Sequence, residues 1–284
     1  MLASSIPQGG KPATPEISPP TSPPATGASN LALRLAPNTR FPIQFDTDST
    51  VTTKIDDAER VDHGQYSTIY DFHVLEARRD GAVRLEATLT RATIKKTGPD
   101  GNSIFDSADK NQPEKMTPEI VLYAAMVNEP FQVTVAEDGT LTEFSGLAEA
   151  VDRMVDNKLQ PPANERSQAK AFIEQAFNAN ALRDSLGRAF DFYPGKTVAE
   201  SDRWTRTVEN FSGISFLLDN KYHLKSLTLD EAVITVRSQV REKETDAAAP
   251  VRWEVLGTQT GTIKIDPRDG RLLTSEYELK LDAE

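Results

Sequence analysis

The residue pattern predicts an α+β protein, mainly antiparallel β, with two related curved β halves and one long and one or two short helices packed between or against them. Three observations carry that expectation. Apolar residues recur with a period of two over most of the chain beyond residue 30, as in strands that bury one face. Between about 147 and 187 the period becomes helical. Finally, "FQVTVAEDGTLTEFSG" at 131–146 returns in altered form as "GTIKIDPRDGRLLTSEYEL" at 261–279. Both phrases turn on Asp-Gly, which favours the positive-φ geometry of tight hairpins.

Taken in order, "LALRL" (31–35) and "FPIQF" (41–45) place Leu31, Leu33 and Leu35, then Phe41, Ile43 and Phe45, on one side of a strand. Tyr66, Thr68, Tyr70, Phe72 and Val74 continue that alternation to a turn at Asp80-Gly81, and Val83, Leu85, Ala87 and Leu89 carry the return strand. Thr117-Pro118 suits an N-cap and first helical position, which predicts a short helix over 117–127. Phe131, Val133 and Val135 form the next strand face; Leu141 and Phe144, after the Asp138-Gly139 turn, are out of strict alternation and predict a bulge or an early strand end.

Leu147, Val151, Met154, Val155 and Leu159 make a helical stripe that Pro161-Pro162 stops. A second helix is expected over 164–187, from Phe172, Ile173, Ala176 and Phe177 to Leu182 and Leu186, with its Met and Phe residues read as core. Strands return with Trp204 and Val208, then Phe216–Leu218, and "YHLKSLTL" pairs with "AVITVRSQV". Residues 251–265 read as one strand with Val251, Trp253, Val255, Gly257, Gly261, Ile263 and Ile265 on its apolar face. Asp269-Gly270 leads to a last strand with Leu273, Tyr277, Leu279 and Leu281 inward. A Tyr-bearing strand, its hairpin partner and a later Asp-Gly hairpin occur in 66–144 and again in 222–281, the basis for expecting two related halves.

Seven of the 18 prolines fall in the first 30 residues, among Ser, Thr, Gly and Ala. Such a stretch buries too little to offset its ordering entropy, so 1–29 is expected to be a disordered tether and 30–284 one compact unit, with halves at about 30–160 and 161–284. The N-terminus lacks a charged region followed by an apolar one, so no intact signal peptide is expected. No apolar run approaches the ~20 residues of a membrane-spanning helix.

A net charge of −11 opposes nucleic acid as a partner. The absence of cysteine removes disulfides, thiolate metal sites and cysteine nucleophiles. His63, His73 and His223 show no metal-ligand spacing, and no nucleophile elbow, Walker loop or dinucleotide-binding glycine motif occurs. "FDTDST" (45–50) and "DSADKN" (106–111) gather oxygen ligands but miss the Ca²⁺-loop pattern, so both are read as turn chemistry. "DDAERVD" (56–62) is read as a solvated connection. No catalytic residue, cofactor or metal is expected.

"IFDSAD" (104–109), "FQVTVAEDGTLTEFSGL" (131–147), "YPGKTVAESDRW" (193–204), Tyr222 with Leu224, and "GTIKIDPRDGRL" together resemble an uncharacterised bacterial family of exported proteins and lipoproteins, a domain of unknown function, over about residues 31–284. The resemblance implies an extracytoplasmic place, periplasmic or in the cell envelope, once a signal is removed. It carries over no catalytic residue, and the lipid-bearing cysteine of a lipoprotein is absent.

The function expected is that of a non-enzymatic extracytoplasmic module binding an apolar or envelope ligand or a partner protein. The alternatives are a hydrolase using acidic residues on a β scaffold and a structural envelope protein on a flexible tether. Gly257 and Gly261 share an apolar strand face with Trp253 and Ile263, so two readings stand beside each other. The glycines bend the sheet around the 164–187 helix, or they floor an apolar ligand groove walled by Trp253.

Overall fold

The computed structural model describes residues 27–55, 58–99, 101–109, 116–210, 215–243 and 254–283. The fold is mainly antiparallel β, with four short α-helices among the described residues. One sheet contains β2 (Arg40–Ile55), β3 (Ala58–Ala77), β4 (Val83–Gly98), β6 (Pro130–Val135) and β7 (Leu141–Ser145) in that order, and β5 (Gly101–Asp106) pairs with the far part of β4. The other is an uninterrupted meander of β9 (Arg203–Asn210), β10 (Phe216–Leu227), β11 (Ala232–Glu242), β12 (Val255–Ile265) and β13 (Leu272–Ala283). A two-residue ladder joins β1 (Ser29–Asn30) to β8 (Thr197–Val198). In both large sheets an Asp-Gly turn links the last two strands of the main path.

Helix α1 (Pro118–Met126) starts where Thr117 predicts, with the threonine hydroxyl accepting from the Ile120 amide at 3.3 Å. Helix α2 (Leu147–Arg153) runs into a π-helical turn, Met154–Leu159, which ends at Gln160 in the left-handed region (φ 47°) just before the two prolines. The single helix expected over 164–187 is two, α3 (Arg166–Ala176) and α4 (Ala179–Leu186). Asn178 divides them. Its backbone is extended, and its side-chain oxygen accepts from the amides of Asn180 and Ala181 at 3.0 and 3.1 Å. A side chain that caps a new helix this well wins over the small gain of continuing the old one.

Other departures have similar local causes. Residues 31–35 form no ladder; Leu31, Ala32, Leu33 and Leu35 are all buried as an irregular strap. Residues 45–50 lie inside β2, and 58–62 open β3, so neither is a turn or connection; 56 and 57 lie outside the described residues. Asp106 does serve a turn, accepting from the Ala108 amide at 3.0 Å, and it pairs with Arg91 at 2.6 Å. The bulge expected on the return from Asp138-Gly139 falls opposite Val133–Val135. A second bulge pairs Ile265 with Leu272, which leaves Leu273, expected inward, about half exposed.

The faces of both sheets and all four helices contribute to one continuous core. On the second sheet a polar row bounds it. Asn220, Ser238 and Gln259 sit side by side on neighbouring strands, each buried, and Ser238 donates to Asn220 Oδ1 at 2.5 Å. Beyond that row lies a smaller cluster around Phe216, Val240 and Val255.

The chain between α4 and β8 ties the sheets together. A 3₁₀ turn at Gly187–Ala189 leads into Phe190-Asp191-Phe192-Tyr193, whose aromatic side chains are buried. Gly139, at φ 84°, lies against the Phe190 carbonyl, and a β-carbon there would come within 2.8 Å of the Tyr193 ring. The Tyr193 hydroxyl donates to the Gly270 carbonyl at 2.6 Å, and Trp204 Nε1 donates to the Phe192 carbonyl at 3.1 Å. Gly270, at φ 77°, in turn admits the strap: a β-carbon would come within 2.6 Å of the Ala32 carbonyl carbon. Each Asp-Gly turn is therefore a docking point as well as a reversal. Gly139→Ala and Gly270→Ala should each lower the unfolding free energy by roughly 2–4 kcal/mol, since strain at positive φ adds to a backbone clash. Gly101→Ala, at φ 107° with no neighbour within 4 Å, should lose about 1 kcal/mol from strain alone. Urea denaturation of the three variants measures the difference.

Candidate functional site

The first sheet continues well past its core. In register, Thr47, Tyr66, Ile94 and Phe105 lie side by side across β2, β3, β4 and β5. Ile94 and Phe105 are buried there and end the apolar part of that face. One step outward the same face carries Ser49, Gly64, Lys96 and Ser103. The next step carries Val51 beside Asp62, and Gly98 beside Gly101. Successive residues on one face are two apart in sequence, so the change from large apolar to small and polar side chains opens a trough. Its volume is about 790 Å³.

Three glycines line it, two of them covered by side chains of the trough itself. The aromatic ring of Tyr66 folds back over Gly64, where a β-carbon would stand 2.7 Å from Cε2. Gly98 lies beneath the Asp62 carboxylate, and Gly101 is open. The core end is closed by α1: Thr117 lines the trough, and Glu119 forms an ion pair with Lys96, whose Nζ lies 5.7 Å from the Tyr66 ring centroid. At the outer end Arg60 grips Asp62 with two bonds of 2.6 and 3.0 Å. Burial and the neighbouring Glu119 push the Tyr66 phenol above its ordinary value, so it stays a neutral hydroxyl.

The residues picked out from sequence have other surroundings. Trp253 lies outside the described residues. Gly257, Gly261 and Ile263 share the inward face of β12, and Ile263 is fully buried in the main core. A β-carbon on Gly261 would stand 2.5 Å from the Glu276 carbonyl oxygen and 2.7 Å from the Tyr277 ring; on Gly257 it would stand 3.2 Å from Leu281 Cα. The space beside these glycines is filled by β13 and by Val236 and Val240 of β11. A shallower depression of about 490 Å³ includes Gly261, with Lys225, Arg237 and Glu276 among its lining residues.

One largely buried carboxylate with a raised pKa has no counterpart in the sequence reading. Asp191, about four-fifths buried, has an Arg206 nitrogen 3.6 Å from Oδ1. The hydrogen bonds of that guanidinium go instead to the Asp138 carbonyl and, at 2.6 Å, to Thr140 Oγ1. Burial pushes the Asp191 carboxyl up to about 7; Arg206 opposes the rise and the charges of Asp138 and Asp184 add to it. No group of three or more metal-binding side chains gathers among the described residues.

A family model described as "Family of unknown function (DUF6263)" matches residues 80–272. The chain belongs to this family. The DUF6263 match spans the Asp80-Gly81 turn through the start of β13, and so includes both sheet-docking turns, Asp191 and Arg206. It takes in the β4–β5 and α1 side of the trough, with Lys96, Gly98, Ser103 and Thr117, while Ser49, Asp62, Gly64 and Tyr66 lie before it. No curated protein and no solved structure matches the chain.

Two measurements follow. Because the folded pKa of Asp191 lies above the unfolded value, its stabilising share is complete below pH ~4 and is lost as pH rises through about 7. The loss is on the order of 4 kcal/mol at most. Unfolding free energies at pH 5 and pH 8 should therefore differ more for the wild type than for Asp191→Asn, which stays neutral throughout. Gly261→Leu should cost roughly 2–4 kcal/mol by overpacking against β13, read from urea denaturation.

Proposed function

We propose that this protein is a non-enzymatic, extracytoplasmic binding module whose ligand lies in the trough formed by β2–β5 and the start of α1. The observation that carries the reading is the trough itself, an extension of a core-facing sheet surface with a volume of about 790 Å³, open at Gly101. Concave sites of this size with a few placed polar groups are the usual form of ligand pockets. On this reading residues 1–29 act as a tether and 30–284 as the compact unit it carries. The common strand order and the placement of the Asp-Gly turns support two related halves, of which only the first has grown the β2–β5 extension.

The hydrolase alternative has one notable candidate, Asp191. Its carboxylate lies against Gly187 and faces Arg206, and it lines neither the trough nor the shallower depression. That placement favours a structural part for it. The purely structural alternative predicts an inert trough, and an NMR titration separates the two. A soluble extract of the source cell's envelope should shift the amide signals of Gly64, Gly98 and Gly101 saturably and leave those of Gly257 and Gly261 in place. Gly98→Leu should abolish the response. An extract that shifts none of the trough amides overturns the binding reading.

A further inference from the structure

We infer that the outer face of the β9–β13 sheet is a docking surface for a second copy of this chain, the two related by a twofold axis that runs along the strands between β11 and β12. The face is open to solvent: Lys221, Arg237, Thr260 and Glu278, side by side across β10 to β13, are all exposed. Its charge is sorted by strand. Lys221, Lys225 and Arg237 stand on β10 and β11 and make no ion pair among the described residues, in a chain whose net charge is −11. Glu276, Glu278 and Asp282 stand on β13, and β12 places Thr258, Thr260 and Thr262 between the two blocks. Surface charge that serves solubility alone is interspersed by sign. Here a neutral strand separates the signs.

The separation is self-complementary row by row. An axis in this position sets β10 of one copy over β13 of the other and keeps each cross-strand row over itself, so every contact is made twice. Asp219, Lys221 and His223 share their rows with Lys280, Glu278 and Glu276 respectively. The only acid facing outward on β10 thus meets the only base facing outward on β13. Within one chain Lys221 and Glu278 are three strands, about 14 Å, apart, and can meet only between copies. Asp219 and Lys280 have partners of their own, Arg241 at 2.7 Å and Glu278 at 3.2 Å; the second of these is a highly exposed pair and adds little to the monomer. The Lys221–Glu278 contact is therefore the one that distinguishes the dimer.

The dimensions suit such a contact. Four strands at ~4.8 Å and five same-face rows at ~6.7 Å give roughly 600 Å² on each copy, near the lower bound of specific interfaces. The short threonines at the centre let two sheets approach to the ~10 Å of face-to-face packing, with Arg237 of each copy over Thr260 of the other. Repulsion between two chains of −11 is screened beyond ~8 Å at physiological salt, whereas pairs in contact are not. A polyanion on the basic block would instead leave Glu276 and Glu278 unmatched beside it.

Sedimentation equilibrium of the full chain from about 5 to 500 μM in 150 mM NaCl should show a monomer–dimer equilibrium. Amide signals of Lys221, Thr260 and Glu278 should move with concentration while that of Gly101 stays in place. Lys221→Glu and Glu278→Lys should each weaken association at least tenfold, because each brings like charges together twice. Their thermal midpoints should stay within about two degrees of the wild type, as for other exposed substitutions. An equal mixture of the two variants should dimerise again, since both contacts between unlike chains regain opposite signs. A chain that stays monomeric over this range overturns the proposal, whether or not inorganic polyphosphate binds near Lys221 and Lys225. A dimer that both variants leave intact overturns it too, as does a mixture that fails to recover.

Discussion

The contact on which most of this structure depends is the seating of residues 187–193 between two Asp-Gly turns. Gly139 lies against the Phe190 carbonyl, and the Tyr193 hydroxyl reaches the Gly270 carbonyl. Neither sheet could be brought to this connection by apolar burial alone, since burial is non-directional. The two glycines remove the only atoms that would hold the backbones apart, and the buried phenol hydrogen bond then fixes the angle of approach. The strap at 31–36 uses the same gap from the other side, with the Arg34 amide donating to the Asp269 carbonyl at 2.7 Å. Ordering of the N-terminal entry is thus coupled to a turn more than 230 residues later.

Around that seam the interior is graded. The main core is continuous and aromatic-rich, with Phe72 stacked on Phe41 and meeting Phe190 edge-on at 5.8 Å. The polar row of Asn220, Ser238 and Gln259 then interrupts the second sheet, and Arg206 stands next to Asn220 on β9 with its guanidinium turned back to the Asp138 turn. Buried polar groups of this kind add little net stability but penalise any register that leaves them unpaired. In a sheet whose strands share similar Val/Ile/Thr patterns, that penalty selects one alignment.

The first sheet solves a different problem. Its outer strands run past the core, and such an extension would ordinarily be a twisted, solvent-facing ribbon of marginal stability. The Lys96–Glu119 ion pair ties β4 to α1 and holds the extension; the Tyr66 ring covers Gly64 and the Asp62 carboxylate covers Gly98, while Gly101 stays open. The Tyr66 ring marks the boundary, with one part in the core-facing layer and its hydroxyl beside Glu119 and Lys96. Stability and openness are divided between the two ends of the same four strands.

Much of this was legible in the order of residues. Period-two alternation located the main β-hairpins, Thr117-Pro118 located a helix start, and the Asp-Gly dipeptides located three turns, because these signals act within a few residues and need no distant partner. The split at Asn178 was also local, a capping side chain overlooked inside a strong apolar stripe. The trough was not legible. Its lining residues, among them Gly64, Gly98 and Gly101, are unremarkable singly and come together only when the strand register aligns them, and the register is set by the buried faces of β3 and β4 far from the site. For the same reason Gly257 and Gly261 looked like a gap: the sequence by itself determined that two side chains were missing from an apolar face. Only the tertiary structure decided that Tyr277 and the β13 backbone fill the space, since filling it depends on which strand pairs alongside and at what offset. Asp191 is the clearest case. Its residue type is ordinary and its burial is everything, and burial is a property of the assembled seam.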